Sequence, residues 1–240
     1  MIDVIIPARG GSKGIPRKNI INICGFPLIS YTIQFCKMIK NIRNIYVSTD
    51  DEEIANISLQ YGATIIKRPL EYSLDTSLDI EFLNHFFSII KCDEIVFFRP
   101  TVPIRNRPII EKAIRLYFEN KQNISSLRSV HKILDNPYKT VKIINGFCES
   151  IVETGNKISD IPRQAIPDAY KPNGQIDIVK RDVVLSGSVY GDKIFPIVCK
   201  KNIDIDSHND ILKTQRVLKN RPAVIKKLFY NDGGEINEQI

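Results

Sequence analysis

With 240 residues, 43% of them hydrophobic and 25% charged, the chain fits one large domain, alone or with a small appendage. The net charge of +7 is concentrated: residues 4–49 hold seven cations and no acid, while the remaining 27 cations meet 27 acids, which excludes a diffuse basic surface for nucleic acid. No stretch approaches bilayer length, residues 1–8 do not make a signal peptide, and the scattered Cys24, Cys36, Cys92, Cys148 and Cys199, never in CxxC spacing, read as reduced thiols of a cytoplasmic protein and not as a zinc site.

Val4–Ala8 is a short apolar run with the length and flanks of a buried strand. Pro27 can open a helix over Leu28–Ile39. Asn44–Ser48 reads as the second strand, and Thr49 with Glu52 as a capping box before a helix that Gly62 stops. Ala63–Lys67 is a third strand. Thr76 and Asp79 predict the start of a helix whose Phe82, Leu83, Phe86, Phe87 and Ile90 recur at steps of three and four. Glu94–Arg99 is a fourth strand, Asn106 caps a helix to Phe118, and Ile124–Val130 is a fifth strand. Alternating strands and helices predict an α/β fold: three layers, with a doubly wound, mostly parallel sheet. Ligands bind such sheets beyond the carboxyl ends of the strands, which singles out Arg9, Thr49, Asp50, Arg68, Arg99 and Arg105.

From His131 to Tyr170 the rhythm breaks. Lys139–Ile144 and Phe147–Val152, joined at Asn145-Gly146, predict a β-hairpin, too thin for a domain of its own and read as a small β-rich arm. The core returns at Gln175–Lys180, a last strand is Ile194–Val198, and a helix over Ser207–Asn220 closes the fold. The expected division is a core of residues 1–130 and 171–222, an arm of 131–170, and a polar, loosely ordered tail of 223–240. The six cations of Ile211–Tyr230 are read as a solvated helix face.

The first strand runs into IPARGGSKGIPRKN, with three glycines, two prolines and four cations but no acid. Glycines there let backbone N–H groups reach phosphate oxygens, and cations add charge. Lys13 is followed by Gly14 and not by Ser or Thr, which excludes a Walker loop; Gly10, Gly11 and Gly14 do not make GxGxxG. A glycine turn that merely joins strand to helix would explain the glycines and not the cations. Near the end, Asp204 and Asp206 in NIDIDSHND fall on one face if the segment is extended, and two such carboxylates suit Mg²⁺ held with phosphate oxygens. Asp210 reads as a first-turn helix acid.

IPARGGSKGIPRKN, VSTDDEEIA, RP before SLDTS, FFRPTVPIR, NPYKT, IPRQAIPDAYKPNGQI and NIDIDSHND, in that order over residues 3–219, resemble the acylneuraminate cytidylyltransferases, which make CMP-sialic and related CMP-nonulosonic acids. The resemblance implies a nucleotide-diphospho-sugar transferase-like fold and a Mg²⁺-dependent reaction of CTP with a sugar acid, giving a CMP-sugar and pyrophosphate. It implies Arg9 and Lys18 at the reacting triphosphate; Ala8, Gly10, Gly11, Ser12, Asn19, Arg68 and Asp75 in nucleotide binding; and Asp204 and Asp206 on the metal. It implies Arg99, Thr101, Lys139, Arg163, Gln164, Tyr170, Lys171 and Asn173 on the sugar acid, and a homodimer built through the arm. Arg99 stands where sialic-acid members carry Gln, and Lys171 where Arg is common, so legionaminic acid is expected before N-acetylneuraminate. The alternatives are 3-deoxy-manno-octulosonate, pseudaminic acid and, more distantly, a glycosyltransferase with a DxD metal motif. Nucleic acid and membrane are not expected partners: Phe26, Tyr31, Phe35 and Tyr46, the aromatics near the basic cluster, fall at core-like positions. No chemistry is assigned to His85, His131 or His208.

Overall fold

The computed structural model describes residues 1–152 and 162–230. In chain order the elements are β1 (Ile2–Pro7), β2 (Asn22–Ile23), β3 (Phe26–Pro27), α1 (Leu28–Lys37), β4 (Ile42–Thr49), α2 (Glu52–Gln60), β5 (Thr64–Lys67), α3 (Asp79–Ile89), β6 (Glu94–Phe97) and α4 (Arg107–Asn120). Then come β7 (Ser126–Lys132), β8 (Val141–Ile144), β9 (Phe147–Ser150), β10 (Tyr170–Lys180), α5 (Arg181–Leu185), β11 (Ile194–Val198), α6 (His208–Lys219) and α7 (Pro222–Phe229). Seven strands form one sheet in the order β11-β7-β10-β6-β1-β4-β5. Only β10 runs antiparallel to its neighbours, β6 and β7.

Alternation along β1 builds the layers. Val4 and Ile6 face one side with Ile29 and Ile33 of α1, Ile54 of α2, and Ile110 and Ile114 of α4. Ile5 faces the other, against Phe82, Leu83, Phe86 and Phe87 of α3 and Val184 of α5. A third cluster, with Ile15, Tyr31, Ile205 and Leu218, joins the loop after β1 to α6. β1 lies between β4 and β6, all parallel, so the segments leaving these strands meet at one edge of the sheet.

Several local expectations are corrected. Asp51, not Thr49, caps α2, accepting from Ile54 N at 2.9 Å, while Thr49 Oγ1 accepts from Asp51 N at 3.1 Å. α3 starts at Asp79, and Glu81 takes the Leu78 N–H at 3.0 Å, leaving Thr76 outside the cap. β10 begins at Tyr170 and not Gln175, with a register shift between Pro172 and Asp177. The hairpin is the two-stranded sheet β8–β9, shorter at both ends than expected, and Asn145 (φ 52°) and Gly146 (φ 85°) supply the left-handed pair that a tight turn demands. The stretch after Pro222 is helix α7, not a loose tail: Phe229 stacks on Phe26 at 3.7 Å between ring centroids. Residues 231–240 lie outside the described residues. Asp204 and Asp206 sit on irregular chain, not on a strand.

Candidate active site

The loop after β1 is held in shape by acids that lie about 40 residues away. Gly10 N donates to Asp50 Oδ1 at 3.0 Å, and a Cβ on Gly10 would come within 2.7 Å of Asp51 Oδ2, so this position needs glycine. Arg17 takes a left-handed backbone (φ 57°) and pairs with Asp51, Nη2 to Oδ1 at 3.1 Å, and with Glu53. The Arg17 hydrogen bond holds the Asp51 carboxyl below the usual carboxylate range, against the opposing pull of burial. Asn19 Nδ2 donates to Arg9 O at 3.0 Å and closes the loop at its neck, and Ile15, 1% exposed, anchors its middle.

A cavity of about 550 Å³ opens over this loop, and Arg9, Ser12, Lys18, Asn19, Arg68, Asp75, Arg99 and Thr101 all line it. Arg9 and Lys13 both pair with Asp75, at 3.0 and 2.7 Å, and Arg9 also donates to Leu74 O. Arg68 is buried, donates to Ser48 Oγ at 2.9 Å and Ser48 O at 2.7 Å, and lies over the Phe82 ring. Burial pulls its pKa down to about 10, so it stays charged at neutral pH. Arg99 pairs with Asp79 Oδ2 at 2.6 Å and covers the Phe97 ring. Burial opposes its charge, but the Asp79 carboxylate outweighs it and the pKa rises.

Other expected residues have different work. The Gly10 N–H is taken by Asp50 and the Ser12 N–H by Gly10 O, so of the expected backbone donors at Gly10, Gly11 and Ser12 the Gly11 N–H is the one without a partner among the described residues. Ala8 is fully buried and continues the sheet through Ser48 O. Thr49 and Asp50 frame the loop and do not line the cavity. Arg105 is a structural clamp, donating to the carbonyls of Arg99, Val102 and Gln175 and to Thr32 Oγ1. Burial brings its pKa down to about 10.

A second cavity, of about 680 Å³, is lined by Lys171, Asn173, Asp204 and Asp206 together with His131, Lys201 and Asn202, which the sequence reading left without a role. Their signal is missing because they come from two segments, the end of β7 and the chain after β11, that only the β7–β11 pairing brings together. Lys18 Nζ, from the first cavity, meets Asp206 Oδ1 at 3.1 Å. Lys139, Gln164 and Tyr170 line neither cavity, and the side chain of Arg163 lies outside the described residues.

Ile205 is buried and its N–H donates to Thr101 O at 2.9 Å, which leaves the carboxylates on either side exposed at the cavity wall. Asp204 has no ion pair among the described residues. Asp210 is occupied in the capping box with Ser207. No cluster of three or more metal-binding side chains occurs among the described residues. Two hard oxygen donors beside a cationic cavity fit Mg²⁺, which keeps water and phosphate oxygens as its other ligands. Asp204 and Asp206 are therefore the residues that would hold it.

Residues 4–162, well over half of the chain, match the sequence model of a family described as "Cytidylyltransferase". The chain belongs to this family. It is 31% identical to N-acylneuraminate cytidylyltransferase A of Danio rerio, over 97% of this chain and 56% of that one. It is 30% identical to Post-translational flagellin modification protein B of Campylobacter coli (90% and 94%). It is 29% identical to CMP-N,N'-diacetyllegionaminic acid synthase of Legionella pneumophila (92% and 98%). The chain spans little more than half the length of the N-acylneuraminate relatives it matches. Among solved structures, CMP:2-keto-3-deoxy-manno-octonic acid synthetase complexed with CTP superposes with a TM-score of 0.69 at 16% identity, over 92% of this chain and 99% of that one, and so shares the fold.

Proposed function

We propose that this cytidylyltransferase joins CTP to a nonulosonic acid, giving the CMP-sugar and pyrophosphate. One observation carries the reading: Lys18 reaches from a cationic cavity over a glycine loop to Asp206 in the wall of a second cavity. The first cavity suits a triphosphate and the second a sugar acid. The sugar's anomeric hydroxyl attacks the α-phosphorus, and the bond to the β-phosphate oxygen breaks. Arg9, Lys18, the Gly11 N–H and the Ser12 hydroxyl orient the phosphates and neutralise the charge that develops on them. Asp75 yields Arg9 and Lys13 to the triphosphate and is then free to accept from the nucleoside. Bound Mg²⁺ would supply further charge neutralisation from Asp204 and Asp206.

Legionaminic acid is preferred over N-acetylneuraminate because Arg99, in the first cavity, and Lys171, in the second, depart from the Gln and Arg of sialic-acid members; pseudaminic acid and 3-deoxy-manno-octulosonate are the alternatives. The likeness to the Legionella relative supports legionaminic acid as a candidate substrate. A second copy of the chain is the proposed partner of the β8–β9 hairpin, whose residues are all exposed. The five cysteines are free thiols, which fits the reducing cytoplasm, and no helix of the described residues is long and apolar enough to cross a membrane.

The test is pyrophosphate release with Mg²⁺ and each of CTP, UTP, ATP and GTP across a panel of nonulosonic acids. Release with CTP alone, fastest with legionaminic acid, is the expected result. Release with UTP but not CTP would sink the cytidylyl assignment, and a faster rate with N-acetylneuraminate the sugar preference.

A further inference from the structure

Gly174 lies in the irregular stretch of β10 between Pro172 and Asp177, with a left-handed backbone (φ 66°). A Cβ there would come within 3.2 Å of Val102 Cγ2 and 3.6 Å of Arg99 Cδ, so β10 is pressed against the turn of residues 99–102. One guanidinium joins the two segments. Arg105 Nε donates to Gln175 O at 3.2 Å, Nη2 to Arg99 O at 2.6 Å, and Nη1 to Val102 O and, at 2.9 Å, to Thr32 Oγ1 of α1. Four of the guanidinium's five N–H groups are spent in this way, and Arg105 has no ion pair among the described residues.

The joined segments serve different cavities. The 99–102 turn brings Arg99 and Thr101 to the first, and Thr101 O takes the Ile205 N–H that sets Asp204 and Asp206. β10 brings Lys171 and Asn173 to the second, and the Gln175 N–H donates to Asn173 Oδ1 at 3.3 Å. A shift of β10 against the turn would change the separation of the cavities while leaving the walls of each in place.

We propose that Arg105 is a positioning residue: it fixes residues 173–175 of β10 against the 99–102 turn and so aligns the two cavities for the transfer between their occupants. The inference rests on the two-substrate reading above and adds the residue that sets the alignment. In-line attack tolerates little error, since a misplacement of about 1 Å costs on the order of 10²-fold in rate. A lysine at this position keeps the charge but donates from a single point, so it cannot hold Gln175 O together with both carbonyls of the turn.

Arg105→Lys is expected to lower kcat by about tenfold or more with CTP and the preferred sugar acid, and to change the KM for CTP less than about twofold. Thr32→Val is the control for stability, because it removes the acceptor on α1 and leaves the three carbonyls held. Its urea midpoint should fall while its kcat stays within about twofold of wild type. Wild-type kcat in Arg105→Lys, or an equal loss of kcat in Thr32→Val, would overturn the proposal. If Arg105→Lys does not fold, Gly174→Ala takes its place: the guanidinium stays, the new Cβ pushes β10 off the turn, and the same loss of kcat at unchanged KM for CTP is expected. Wild-type kcat in that variant would likewise overturn it. Crystal structures of the wild-type chain and the folded variant separate this inference from the reading beneath it. β10 should lie farther from the 99–102 turn in the variant, and an unmoved β10 overturns the alignment role. If the wild-type chain releases no pyrophosphate with any sugar acid, the cytidylyl reaction fails alone, and the two structures still decide whether Arg105 sets the separation.

Discussion

Lys18 is the residue on which both cavities depend. It follows a left-handed Arg17 that Asp51, the cap of α2, and Glu53 hold in place, and its ammonium bridges to Asp206 at 3.1 Å. Because that bridge is partly exposed, its loss costs little stability. Lys18→Ala is therefore expected to keep the wild-type thermal unfolding curve while kcat falls on the order of 10²-fold or more; full activity in the folded variant would remove Lys18 from the site. Asp206→Asn should move the Mg²⁺ titration of activity to higher concentration, and an unshifted titration would take Asp206 off the metal. The cations of the loop are plain in the sequence. The acids that shape it are not, because Asp50 and Asp51 look like ordinary residues of a strand-to-helix turn until β1 and β4 are paired. The sequence pattern makes Asp204 and Asp206 strand neighbours. What turns both outward is one backbone bond from Ile205 to Thr101.

Among the elements, those with strong local signals fall where the pattern puts them. β11 matches to the residue, and Ser207 opens α6 through a capping box that also accounts for Asp210. α7 was missed because its Lys226 and Lys227 read as polar tail, while its apolar residues find partners far back in the chain: Phe229 meets Phe26, Tyr31 and Tyr61. Phe229→Ala should lower stability by about 2 kcal/mol, less than a fully buried phenylalanine because the ring is half-buried. An unchanged urea midpoint would make α7 a passive extension. The hairpin presents Ile143 and Phe147, each about three-quarters exposed, and an isolated two-stranded ribbon is marginal in water. Replacing residues 141–150 with a short Gly-Ser link is expected to convert a sedimenting dimer to a monomer; a variant that still sediments as a dimer would move the interface elsewhere.

For the whole molecule, stability toward acid has a defined sign. The carboxyls of Asp51 and Asp210 lie below their ordinary range, held chiefly by hydrogen bonds from Arg17 and Ser207. Their contribution is fully present above about pH 4 and disappears as the pH falls through the lower folded values. Burial pushes Asp177 the other way, so its ionisation weakens the fold as the pH rises from about 4 through its raised value. Asp51→Asn keeps a capping side chain and loses the ion pair. It should have a lower Tm than wild type at pH 7 and a shallower fall in Tm below pH 4. Parallel curves would mean that Asp51 does not carry the acid limb. The sequence by itself determined the α/β class and the family and pointed to strand ends for the candidate site, because hydrophobic period, turn residues and ordered motifs are local properties. Only the tertiary structure decided that β10 runs against the sheet, that acids from the β4–α2 turn and from α2 brace the loop, and that His131, Lys171 and Asn202 share one wall. These depend on register between segments distant in the chain, and register is set when side chains pack.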